Sequence, residues 1–207
     1  MTTTTPPDPT VAPQAPSSSL PPLLAPWTGP YGGVPPWHEV TPAQFPAAFS
    51  AAIALRRDEI LAITSSPEAP TWANTIEALE RAGRPLGRVL VLFSVMSSNA
   101  NTPEYQALDQ EWSPVLTAAD DAIRLDAALF ARVAAVHASR ATAGLTADQQ
   151  RLTERTYDAF VRQGARLGVD AKAELSRLNQ ELARAFSEFS TRVLAAEDAW
   201  TVLAHED

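Results

Sequence analysis

The chain has no cysteine, which excludes disulfide staples and thiolate metal sites. Lysine is almost missing: Lys172 stands alone among 16 basic residues, against 24 acidic ones and a net charge of −8. Nothing forms the basic stripe that phosphate backbones require, so nucleic acid is not expected as a partner. No apolar run approaches the ~20 residues that span a bilayer, so no membrane partner is expected either. Residues 1–20 lack a basic start and an apolar stretch, so no signal peptide is readable. With the missing cysteine, this points to a cytoplasmic location. Strand patterning is absent too, beyond the four residues Trp200-Thr-Val-Leu203, which decide nothing.

What the chain does have is proline at one end and helical periodicity after it. Thirteen of its 18 prolines fall within the first 46 residues. Residues 1–21 are mostly Thr, Pro, Ser and Ala and cannot bury enough apolar surface to offset ordering, so this tail is expected to be disordered. Leu23 to Glu39 is Pro-rich but aromatic, with Trp27, Tyr31 and Trp37 between prolines and Gly29, Gly32 and Gly33. Such a segment is expected to lie extended over a core with its rings in grooves. The rest of the chain, roughly 160 residues, is long enough to bury about 70% of its unfolded surface.

From Thr41 the 3.6-residue period takes over, and about six helices are expected in an all-α fold. Thr41, Gln44 and Pro46 start the first, which carries Phe45, Phe49, Ile53, Ile60 and Ile63 and ends before Ser65-Ser66-Pro67. Asn74 with Glu77 reads as a capping box opening the second, which runs to Ser98 with a break near Arg84, where Gly83, Pro85 and Gly87 cluster. Thr102-Pro103 opens the third, with Leu108, Trp112, Val115 and Ala119 inward and a bend at Pro114. Asp126 caps a fourth carrying Leu129, Val133 and Val136. Thr146 and Gln149 open a fifth with Leu152, Phe160 and Leu167. Asp170 caps the sixth and longest, where Leu175, Leu178, Leu182, Phe186, Phe189 and Val193 recur by threes and fours. That stripe is expected to be buried against two or more neighbours, so that Leu182→Ala costs ~2–5 kcal/mol. Short connections imply antiparallel neighbours.

Candidate chemistry is sparse. A helical zinc peptidase needs two histidines four residues apart and a glutamate beside the first. His38-Glu39 runs into Val-Thr-Pro42, and His205-Glu206 is followed by Asp207 alone, so neither is the motif. His137 stands by itself at the edge of the Val133/Val136 stripe. Asp120-Asp121 and Glu197-Asp198 are adjacent residues pointing about 100° apart, unlike a dyad, and read as solvated charge near helix ends. No Ser, His and Asp grouping suggests nucleophilic catalysis, and Gly29, Gly32 and Gly33 do not sit between a strand and a helix as a phosphate cradle would. No catalytic, cofactor-binding or metal-binding residue is assigned within the chain.

The segment Pro70-Thr-Trp-Ala-Asn-Thr-Ile-Glu-Ala-Leu-Glu-Arg-Ala-Gly83 resembles the N-terminal part of the thimet-oligopeptidase family of zinc peptidases. It is most similar to bacterial dipeptidyl carboxypeptidases and oligopeptidase A. The likeness continues in order through Leu24-Ala-Pro-Trp27, Pro35-Pro36-Trp37, Phe45-Pro-Ala-Ala-Phe49, Arg88-Val89, Phe160-Val-Arg-Gln-Gly-Ala165, Glu181-Leu-Ala183, and Val193-Leu-Ala-Ala-Glu197 with Trp200. It covers residues 22–207.

This resemblance implies a helical N-terminal domain that forms a lid over a channel, restricting access to short peptides. Zinc and its ligands belong to a catalytic domain beyond this sequence, so the chain alone is expected to be inactive. An apolar surface is expected where that missing catalytic domain docks, with Trp27 to Trp37 near the seam. The alternative is a free-standing helical interaction module without enzymatic role.

Overall fold

The computed structural model describes residues 21–200, so the tail of residues 1–20 and the segment 201–207, with His205, lie outside it. Helices α1 (Phe45–Thr64), α2 (Ala78–Arg81), α3 (Arg84–Asn99), α4 (Pro103–Arg124), α5 (Ala127–Ser139), α6 (Ala147–Arg162) and α7 (Val169–Asp198) follow in order. Among the described residues the extended pairing is a single bridge, Thr28 with Val34. The fold is all-α.

α1 spans two apolar clusters. Its first half sends Phe45, Ala48, Phe49 and Ala52 against Leu86, Val89, Leu92 and Phe93 of α3 and Tyr105 and Trp112 of α4. Aromatic rings lock this cluster edge to face, Phe45 on Phe93 at 5.1 Å and Phe49 on Phe93 at 5.3 Å. Such pairs add ~0.5–1.5 kcal/mol beyond their buried area. Its second half, Ile60 and Ile63, joins Ile76, Ile123, Leu129, Val133, Val136 and Phe160 in the other cluster.

The N-terminal segment differs from the extended strap expected of it. It forms short 3₁₀ turns at Pro22–Leu24, Pro30–Gly32 and Trp37–Glu39. Leu23 and Leu24 carry its packing, with Trp27 partly buried beside them, and Arg88 holds it by donating to the Leu24 carbonyl at 2.6 Å. Tyr31 is fully exposed and Trp37 is 38% exposed. Aliphatic side chains do the anchoring here, and of the three rings only Trp27 joins the core.

The second start signal is also displaced. Thr71 is the cap: its backbone is extended (φ −123°, ψ 165°) and its hydroxyl accepts from the Asn74 amide at 3.1 Å. Asn74 Oδ1 reaches back to the Thr71 amide at 2.8 Å. Asn74 is thus the third helical residue of a capping box, and Glu77 pairs forward with Arg81. The first turn, Trp72–Glu77, is π-helical. The break near Arg84 is present. Gly83 sits at φ +78°, where a Cβ would meet Arg56 Cδ at 2.9 Å, and its amide donates to Glu59 at 2.6 Å. Only glycine suits that conformation and that spacing together.

α4 continues through the buried Pro114, with Trp112 inward but Val115 exposed. Asp126 caps α5 through the Leu129 amide at 2.6 Å, and Thr146 with Gln149 caps α6. Leu167 lies in the turn after α6 and is exposed. α7 starts from Gly168, with Asp170 inside its first turn, where its charge suits the positive end of the helix dipole. The stripe of α7 departs most from expectation, and it defines the site described next.

Candidate functional site

α7 runs antiparallel to α4, its one extensive neighbour among the described elements. Lys172 donates to the Leu125 carbonyl at 2.8 Å, Asn179 to Asp121 at 2.9 Å, Ser187 to Asp109, and Gln110 to Thr191 at 3.4 Å. The residues that bond to α4 and its C-terminal end are therefore polar and, apart from Lys172, small or medium-sized, and Ser187 is the one truly buried among them. A helix turns about 100° per residue, so the apolar series lies about a third of a turn away from that face. Leu178 is 47% exposed, Leu182 55%, Phe186 62% and Phe189 64%, and Val193 is also open. Burial of this stripe against neighbouring helices is thus overturned from Leu178 onward, while Leu175, its first member, is partly buried beside Gly164 in the turn after α6. Periodicity reports that the apolar residues share a side, and α4 meets a different side because its own facing groups, Asp109 and Asp121, require donors.

The remaining flank of α7 is charged and internally paired. Arg177 bridges Glu174 at 2.7 Å and Glu181 at 2.5 Å, and Arg192 lies 3.8 Å from Glu188. The hydrogen bond from Arg177 holds the Glu174 carboxyl below its ordinary range, and the two glutamates raise the Arg177 guanidinium. α7 thus has three sides: hydrogen-bonded to α4, charged and solvated, and apolar and open. Beside the apolar side, a groove of about 500 Å³ runs between the ends of α3, α4 and α7, with Phe189 and Val193 on its wall and Tyr105 and Asp109 in its lining. The Tyr105 hydroxyl is buried without a hydrogen-bond partner, and burial raises its pKa.

The polar residues weighed from the sequence do not converge. His38 and Glu39 are exposed, 3.3 Å apart in the N-terminal segment. His137 stacks on Tyr157 with ring centroids 4.0 Å apart. Asp120 binds Arg56 at 3.1 Å and Arg124 at 2.7 Å, while Asp121 turns to Asn179. This pair ties α4 to α1 and α7, where solvated charge was expected. Glu197 is exposed near the end of α7. Among the described residues no three His, Cys, Asp or Glu side chains are grouped as a metal site would need, so they do not fit a zinc ligand set. No described helix is long and apolar enough to cross a membrane. The exposed α7 flank is what sequence reasoning missed, and the sign was available. Ser176, Asn179, Gln180, Ala183, Ser187 and Thr191 form a second helical series of small and polar residues.

No family model matches the chain. It is 38% identical over 165 residues to the dipeptidyl carboxypeptidase of Salmonella typhimurium and 35% identical over 189 residues to that of Escherichia coli K12. These alignments take in 80% and 91% of this chain but only 24% and 28% of those proteins, at their N-terminal portion. The chain is a homologue of the N-terminal portion of dipeptidyl carboxypeptidases. The resemblance to the thimet-oligopeptidase family thus holds over the length they share. The matched region includes most of the helices described, so the outer side of α7 lies within a homologue of a much longer peptidase.

Proposed function

We propose that this chain serves as the non-catalytic, helical N-terminal portion of a cytoplasmic zinc-dependent dipeptidyl carboxypeptidase. In this reading the helices form a lid that limits access to short peptides, and a separate catalytic domain releases dipeptides from their C-termini. One observation carries the reading. The chain aligns nearly end to end with dipeptidyl carboxypeptidases while spanning about a quarter of their length. When bound, zinc would polarise the peptide carbonyl and lower the pKa of the attacking water. The described residues supply no ligand set for it, so the hydrolytic step is assigned to residues outside this chain.

The lid assignment rests on form: a two-cluster helical scaffold, with no metal-ligand group among the described residues, suits positioning and exclusion. The test is a chimera in which this chain replaces the matched N-terminal segment of the Escherichia coli enzyme. Release of C-terminal dipeptides from short peptides is expected, with longer peptides still excluded. A folded chimera that releases none, or that cleaves long peptides freely, contradicts the proposal.

A further inference from the structure

We infer that the open side of α7, from Leu178 through Leu182, Phe186 and Phe189 to Val193, is the seam on which the following part of a dipeptidyl carboxypeptidase polypeptide packs. The inference rests on the functional reading above and adds the surface involved. The sides of α7 are arranged for a partner. Its contact with α4 is satisfied by small and polar groups, and its charges are paired along the opposite flank. The five large apolar residues remain, with no neighbour among the described residues covering them. Burying such side chains is favourable, so a contiguous row left open marks a contact surface.

The occupant follows from length and spacing. The homologues extend over roughly three quarters of their length beyond the matched portion, and contacts within one chain between such units typically cover ~600–1,500 Å². Phe186 and Phe189 sit centrally, where aromatic anchors concentrate binding energy. The groove beside Phe189 and Val193 continues the same surface and can take a projecting side chain. A second copy of this chain fits less well. The steps of four, four, three and four drift from a 3.5 repeat, and the row spans only about two heptads where a coiled-coil partner needs three or four.

The test compares the 207-residue chain with the chimera described above by hydroxyl-radical labelling read residue by residue. Leu178, Leu182, Phe186 and Phe189 should label strongly in the chain and several-fold less in the chimera, with Leu129 protected in both. Leu182→Glu with Phe186→Glu should lower the melting midpoint of the chimera and leave that of the 207-residue chain unchanged. Equal labelling in both proteins, or a chimera indifferent to the two charges, overturns the inference. Protection already present in the 207-residue chain overturns it too, whether through a dimer seen by light scattering or through the chain's own ends. Dipeptide release keeps the two readings apart. An active chimera with a fully labelled stripe removes the seam and leaves the function, whereas a protected stripe without activity does the reverse.

Discussion

Arg132 shows how a single side chain closes a loop in this fold. Only 8% exposed, it donates to the Ser66 and Glu68 carbonyls at 3.2 and 3.1 Å and to Asn74 Oδ1 at 3.1 Å. It thus ties α5 to the turn that starts the second helical run. Arg132→Met keeps the apolar stem and removes the donors, and should cost about 1–3 kcal/mol, read as a shift in the urea midpoint. Arg132→Lys should recover little, because one ammonium cannot reproduce the planar fork. Thr71→Ala, which removes the cap on the same turn, should cost ~0.5–2 kcal/mol, whereas Glu77→Ala should leave the cap intact. His137 supplies a pH signature. Burial first, then the charge of Arg140, lowers its pKa below 6.5, against the opposing pull of Asp158 and Glu154. The unfolded chain therefore takes up the proton first as pH falls. This contribution to stability is complete above about pH 6.5 and is lost below it. His137→Gln should flatten that part of the melting midpoint between pH 7.5 and pH 5.

At the scale of elements, α7 separates periodicity from burial. Leu129, fully buried in the second cluster, should cost ~2–5 kcal/mol on truncation to alanine. Leu182→Ala in the same chain should cost no more than about 0.5 kcal/mol, since more than half of that side chain already meets water. Chemical denaturation of the two variants at equal concentration checks this, and equal losses would mean that the stripe is covered in the isolated chain. The stripes of α1 and α5 were legible because Phe45, Phe49, Leu129 and Val133 meet partners within the same 207 residues. The capping boxes at Thr41 and Thr146 and the break at Gly83 were legible because they are local. The cap at Thr71 was read three residues late, since Asn74 is equally good cap chemistry and only the extended backbone of Thr71 decides between them. The solvent-facing side of α7 was not legible from its period. Which side of a helix finds a neighbour depends on the long-range demand of Asp109 and Asp121 for donors.

For the whole molecule, two apolar clusters threaded by α1 make a scaffold, and α7 lies outside it on a hydrogen-bonded contact with α4. The family was legible from ordered short motifs between Leu24 and Trp200, and the homology to dipeptidyl carboxypeptidases agrees with it. The absence of an assigned catalytic residue was a reading of motif spacing alone. The proposed division of labour places helices here and hydrolysis in another part of a longer peptidase. Its most direct test is to assay the purified 207-residue chain for release of C-terminal dipeptides from short peptides, with and without added zinc. No turnover is expected in either condition. Dipeptide release that a chelator abolishes and zinc restores would contradict it.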